Sequence, residues 1–248
     1  MDRDRVRAIA HRDHPFHGPL GEGALESIVA RVSLPAHGWV VDIGCGEGDM
    51  LLRLLAVHTD LHGEGIDRAE PLVTRARSRV AERLTPGRCR MHLGDARQFQ
   101  PSKPAHVVVC SGAAHIFGGL RGTLRAVKPW LAPGGQVLIS EQFWERAPDA
   151  RALAALEANA DDYQDLASTV EAAEAEGFVP AYMSVSDAGD WDHYESLWCA
   201  SIEEHVRATP GDPDARELLA AAHAHRTAYL RGYRGVLGYV TLLLSRSP

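Results

Sequence analysis

The chain has 248 residues, 45% of them hydrophobic and 24% charged, with a formal net charge of -7 and four cysteines; these are soluble-globular values that exclude a disordered or collagen-like chain. At about 150 residues per domain the length predicts one large core with an elaboration, big enough to need no disulfide staples. The mild acidity argues against a polyanionic partner, and no segment approaches the roughly 18 apolar residues of a membrane span, so the expected partner is a small molecule, with no nucleic acid and no membrane.

The N-terminal arm carries arginines, aspartates and histidines where a secretory leader needs an apolar run. A helix over Gly23–Val32 follows, with Leu25, Ile28, Val29 and Val32 on one side, and Pro35 and Gly38 end it. Arm and helix, residues 1–34, form a predicted lid, and residues 35–248 the main domain. From Trp39 strands and helices alternate: a strand to Ile43, a glycine loop, a helix with Met50, Leu51, Leu54 and Leu55 on one face, and a strand ending at Ile66. A helix over Glu70–Leu84 comes next, whose Arg75, Arg77, Arg79 and Arg83 read as a solvated face. Strands Cys89–Leu93 and Ala105–Cys110, a helix over Phe117–Leu131 and a strand over Gln136–Gln142 complete the alternation. This pattern predicts an α/β fold, with crossover units on a parallel sheet covered on both faces. Beyond Trp144, Asp149–Ala175 holds two helices, Phe178–Val185 a strand, Asp190–Arg207 and Asp212–Arg231 two more helices, and Gly235–Leu244 a last strand. The late helices lie between strands, so they read as an insertion at about 188–232, not as a separate domain. Cys45, Cys89, Cys110 and Cys199 form no CxxC pair and no metal-ligand spacing, which points to reduced thiols and a cytoplasmic setting. Three histidines along the proline-broken arm do not set out a tetrahedral site, so no metal is expected.

The strongest local signal is Val40-Val41-Asp42-Ile43-Gly44-Cys45-Gly46-Glu47-Gly48, at a strand-to-helix junction. Glycines there let the backbone turn sharply and approach a ligand at the carboxyl edge of the sheet. The dinucleotide fingerprint would need a third glycine at position 49, where Asp49 stands, and a carboxylate at the helix start disfavours a pyrophosphate. The favoured ligand is one without phosphates.

The GxGxG loop with Asp42 two residues before it resembles motif I of the class I S-adenosylmethionine-dependent methyltransferases. Gly65-Ile66-Asp67 ends the second strand with an acid, Gly94-Asp95-Ala96 follows the third, Val107-Val108-Val109-Cys110 forms the fourth, and Leu131-Ala132-Pro133-Gly134-Gly135 resembles the family's LxPGG turn. These signals stand in the family's order between Trp39 and Gln142. The resemblance implies a Rossmann-like, mostly parallel seven-stranded sheet with helices on both faces and an antiparallel last strand. It implies S-adenosylmethionine as cofactor and S-adenosylhomocysteine as product, held by Asp42, Gly44, Cys45, Gly46, Asp67, Arg68, Asp95, Ala96, Cys110 and Ser111. Asp67 would accept from ribose hydroxyls, and the acid of Asp95 or a neighbouring backbone group would hold the adenine amine. Asp42, Glu47 and Asp49 are expected to favour the cationic sulfonium.

Methyl transfer is an in-line displacement that needs walls and at most one base. His115, after the fourth strand, is a candidate base, or a histidine that bonds its own loop. Glu141 and Trp144, at the end of the fifth strand, and Trp191, Tyr194 and Glu195 in the insertion are candidates for the acceptor site, because rigid aromatic walls suit an aromatic or cationic acceptor. Tyr194 and Glu195 are also candidate catalytic residues. Trp191, Tyr194 and Trp198 stand equally at the spacing of a core helix face. Phe16 and His17 are lid candidates, while His223 and His225 read as solvated. The expected activity is methyl transfer to a small molecule by a monomer or homodimer, the acceptor atom, oxygen, nitrogen or carbon, staying open. Alternatives are an RNA or protein methyltransferase and a catalytically inactive regulator that binds the same cofactor.

Overall fold

The computed structural model describes residues 3–14, 16–57 and 59–246. Strand β1 (Trp39–Ile43) is buried along its whole length. It pairs in parallel with β2 (His62–Asp67) on one side and with β4 (Ala105–Cys110) on the other. Such a strand has neighbours at both edges and helices on both faces, hence its apolar composition. β3 (Cys89–Leu93) pairs with β2, and β5 (Leu131–Trp144) with β4. With β6 (Phe178–Val185) and an antiparallel β7 (Leu237–Arg246), the order is β3-β2-β1-β4-β5-β7-β6. The predicted Rossmann-like sheet is thereby observed. The order reverses between β1 and β4, where open α/β sheets bind ligands.

Helices α2 (Glu22–Val29), α3 (Asp49–Val57), α4 (Glu70–Arg83), α5 (Leu120–Val127) and α7 (Leu166–Ala175) accompany the sheet. α5 is shorter than the predicted Phe117–Leu131 helix. Gly118 and Gly119 take positive φ before it, and a separate 3-10 turn, Lys128–Trp130 with Pro129 inside it, follows. The arm contains α1 (Arg3–Ala10). The remaining helices are α6 (Ala150–Leu156), α8 (Ala188–Ala208) and α9 (Ala215–Ala228).

The chain divides into two compact units. Residues 22–141, 167–184 and 240–248 form the sheet unit, and residues 1–21, 142–166 and 185–239 a helical unit. Helix α2 buries Leu25 and Ile28 and belongs to the sheet unit, while residues 1–21 belong to the helical one. The helical unit has two apolar centres. One gathers Trp144, Trp191, Tyr229, Tyr233 and Tyr239; the other gathers Ala10, Cys199, Ile202, Leu218 and Ala222. Arg5 pairs with Asp212 at 2.5 Å and with Asp214, Asp13 accepts from Ser201 Oγ at 2.8 Å, and Arg12 reaches Glu204 at 3.0 Å, which anchors the arm on α8 and the turn after it.

Candidate functional site

In the sheet unit the loop after β1 has Gly44, Gly46 and Gly48 at positive φ, the region that glycine enters without steric cost. A Cβ on Gly44 would stand 2.5 Å from the Ala113 Cβ, whereas one on Gly46 would meet nothing within 4 Å. The loop is therefore packed at its start and open at Gly46. Asp67, at the end of β2, accepts from Gly46 N at 3.0 Å through one oxygen and from Ala69 N at 2.8 Å through the other. A carboxylate has about four acceptor positions, so Asp67 braces the loop and keeps capacity for a ligand's hydroxyls. Exposed Arg68 follows it.

Asp95 caps the 3-10 turn Ala96–Gln98 by accepting from Arg97 N at 2.9 Å, and it pairs with the Arg97 guanidinium at 2.6 Å. That pairing pulls its carboxyl down to about 2. Ala96 is buried behind it. Cys45 and Cys110 are buried free thiols, held in the protonated form by desolvation. Ser111 Oγ, just past β4, lies 3.1 Å from Ser140 Oγ, which in turn lies 3.0 Å from Thr241 Oγ1. His115 sits exposed on the 3-10 turn Ala114–Phe117, and Glu141 is half-buried on β5.

Two electrostatic expectations are overturned. The arginines of α4 are not merely a solvated face: Arg79 pairs with Asp49 and reaches Glu47 at 3.7 Å, Arg75 bonds Glu47 at 2.7 Å, and Arg77 donates to Met91 O at 2.9 Å. Asp49 and Glu47 are consequently neutralised by their own fold instead of being offered to a cation. Asp42 is 3% exposed, and burial pushes its carboxyl up to about 8, aided by the charges of Asp67 and Asp49. It lies in the core of the sheet unit, accepting from the backbone of Leu51 on α3, and carries its proton at neutral pH.

In the helical unit, His17, Gly18, Pro19, Gln142, Leu156, Trp191, Tyr194, Glu195, Tyr233, Leu237 and Tyr239 line a cavity of about 120 Å³. The first turns of α8 place Trp191, Tyr194 and Glu195 together because residues three and four apart share a helix face. Asp187 starts that helix, accepting from Gly189 N at 2.7 Å and Asp190 N at 2.9 Å, while Asp190 accepts from Asp187 N at 3.1 Å. Glu195, 5% exposed, accepts from Tyr233 Oη at 2.9 Å and from His225 Nε2 at 2.5 Å. His225 also stacks on Trp198 with ring centres 3.8 Å apart, so it is a structural partner and not the predicted solvated histidine. Tyr194 Oη lies 3.2 Å from His11 Nε2, and its carbonyl accepts from His14 Nε2 at 2.9 Å. Burial pushes the Tyr194 phenol up and the His11 imidazole down to about 4, so both are neutral near pH 7. The indole N–H of Trp191 is buried without a hydrogen-bond partner among the described residues.

The cavity brings together four predicted residues: His17, Trp191, Tyr194 and Glu195. Trp144 is not among those lining it. Its indole donates to Ala160 O at 2.8 Å and its ring packs edge-on against Tyr163, so it is a core residue. Phe16 lines a smaller cleft beside Gly18 and His193. Tyr233, Tyr239 and His225 were missed. In the sequence His225 falls in the predicted helix Asp212–Arg231 and Tyr239 in the predicted strand Gly235–Leu244, so their periodicity marks neither as a site residue.

A family described as a methyltransferase domain matches residues 40–135. The chain is 26% identical to the uncharacterized protein YjhP of Escherichia coli K12 over 99% of this chain and 100% of that one. A crystal structure of a SAM-dependent methyltransferase from Geobacter sulfurreducens in complex with S-adenosyl-L-homocysteine superposes with a TM-score of 0.89 at 28% identity, covering 98% of each chain. A trans-aconitate 2-methyltransferase of Mycobacterium tuberculosis is 28% identical over 129 residues, 52% of this chain and 43% of that one.

Proposed function

Because the chain belongs to the class I S-adenosylmethionine-dependent methyltransferases, we propose that it methylates a small-molecule acceptor held by the cavity around Glu195. The observation that carries the acceptor class is the wall of that cavity: four aromatic rings, one carboxylate and no lysine or arginine in about 120 Å³. For comparison, an enclosed cavity of about 150 Å³ takes a benzene molecule. A space of that size and polarity suits one ring or its equivalent, and gives a polyanionic RNA no counter-charge.

The cofactor supplies a methyl group on a sulfonium, which needs no phosphate site. The residues of the sheet unit fit it: Gly46 leaves open space beside a backbone at positive φ, and Asp67 retains acceptor capacity for hydroxyls. Gly44, Cys45, Gly46, Asp67, Arg68, Asp95, Ala96, Cys110 and Ser111 are the proposed cofactor contacts, with Asp42 reassigned as a buried support of the loop. Glu195, oriented by His225 and Tyr233, is the group placed to accept a proton from an acceptor, and Tyr194 walls the space. His115 remains a proposed base from the sheet unit.

The test is calorimetric titration with S-adenosylhomocysteine, followed by an assay for its release from S-adenosylmethionine against neutral, cationic and anionic small acceptors. Binding of the product together with release on at least one small acceptor is expected. Release only with RNA or protein overturns the acceptor class, and binding without release on any acceptor leaves the regulator in its place.

A further inference from the structure

The helical unit's cavity combines features that are costly unless a particular ligand answers them. Glu195 is nearly inaccessible, and its two protein partners, Tyr233 and His225, use only part of the roughly four acceptor positions of a carboxylate. No lysine or arginine lines the space, so the lining provides no such counter-ion. The rings of Trp191, Tyr194, Tyr233 and Tyr239 line it, and the faces of such rings attract cations. The buried N–H of Trp191, with no hydrogen-bond partner among the described residues, is the complementary need, which an acceptor oxygen on a ligand would answer. Close approach is built in as well. A Cβ on Gly18 would stand 2.5 Å from Tyr239 Oη, so this tyrosine reaches the wall only because position 18 is glycine.

We propose that this cavity recognises a small cationic amine that also carries a hydrogen-bond-accepting oxygen, with Glu195 as the counter-ion and Trp191 as donor to that oxygen. The inference rests on the reading that the cavity holds the methyl acceptor, and gives that acceptor a chemical class. An anion would stand against the acidic side chain of Glu195 and finds no lysine or arginine in the lining. A neutral alcohol answers the hydrogen bonds but brings no positive charge to the Glu195 side.

The test uses four probes of matched size on the full chain saturated with S-adenosylhomocysteine, read by ligand-observed NMR: 2-amino-1-phenylethanol, 2-phenylethylamine, 1-phenylethane-1,2-diol and mandelate. The amino alcohol is expected to bind about tenfold more tightly than the diol, with mandelate weakest. Glu195→Gln should erase the preference for the amine over the diol, and Trp191→Phe the preference for the amino alcohol over 2-phenylethylamine. Binding of the diol or mandelate as tight as that of the amino alcohol overturns the inference, as does an unchanged preference in a folded Glu195→Gln protein or silence from all four probes at about 10 mM. The wild-type comparison decides by itself if a variant does not fold. The two readings fail separately: S-adenosylhomocysteine release with only neutral or anionic acceptors sinks the amine class alone, whereas probe binding without release on any acceptor sinks methyl transfer alone.

Discussion

Glu64 illustrates how much of this protein depends on single buried polar groups. It is fully buried on β2 and accepts from Trp39 Nε1 at 3.1 Å, His92 Nε2 at 3.0 Å, Ser102 N at 2.6 Å and Ser102 Oγ at 2.8 Å. Removing it strands those donors together, so Glu64→Ala should cost about 3–5 kcal/mol in urea unfolding, against about 0.5 kcal/mol for an ordinary surface change; a loss under about 1 kcal/mol would show that water replaces it. In the strand pattern Glu64 reads as a polar interruption, and nothing around it in the chain names its donors. Arg79 was similarly unreadable. The sequence shows an arginine-rich helix, while its partners Asp49 and Glu47 lie some thirty residues earlier in the chain. Asp67 was legible, because an acid at the end of the second strand next to a glycine loop is a local arrangement, and it does grip that loop.

The elements whose determinants lie within about ten residues were legible. β1, β3, β4 and β6 begin and end where composition and turn residues place them. β5 was read too short, because Pro133 and Gly134 look like a turn yet lie inside the strand Leu131–Trp144. The wall of the cavity depends on α8 starting at the right residue, since Trp191, Tyr194 and Glu195 fall in its first two turns. Asp187→Ala removes the acceptor for two backbone N–H groups and should destabilise the protein by about 1 kcal/mol. It should also weaken probe binding in the cavity more than S-adenosylhomocysteine binding. Equal weakening of both ligands, measured by calorimetry, would count against a role confined to the cavity wall.

For the molecule as a whole, stability should be limited on both sides of neutrality. Arg97 and Arg234 hold the Asp95 and Asp192 carboxyls at about 2, below the ordinary carboxylate range, so the stability they contribute is present above about pH 4 and fades as the pH falls toward 2. Asp42 acts in the opposite sense. Between about 3.9 and its folded value of about 8 only the folded chain keeps this proton, so stability falls by about 1.4 kcal/mol per pH unit from this group. In urea unfolding at pH 5 to 8, Asp42→Asn should gain on the wild type as pH rises; parallel curves would mean that Asp42 is ionised when folded. The sequence by itself determined the parallel α/β alternation, the glycine loop and its acid, and the family whose motifs they resemble, because hydrophobic period and positive-φ demand are written within short stretches of chain. Only the tertiary structure decided that the loop's other acids are spent on α4 arginines, that Trp144 is core, and that His225 and Tyr233 converge on Glu195 from 30 and 38 residues away. Burial and charge pairing are properties of neighbours in space, and the chain brings those neighbours together only when it folds.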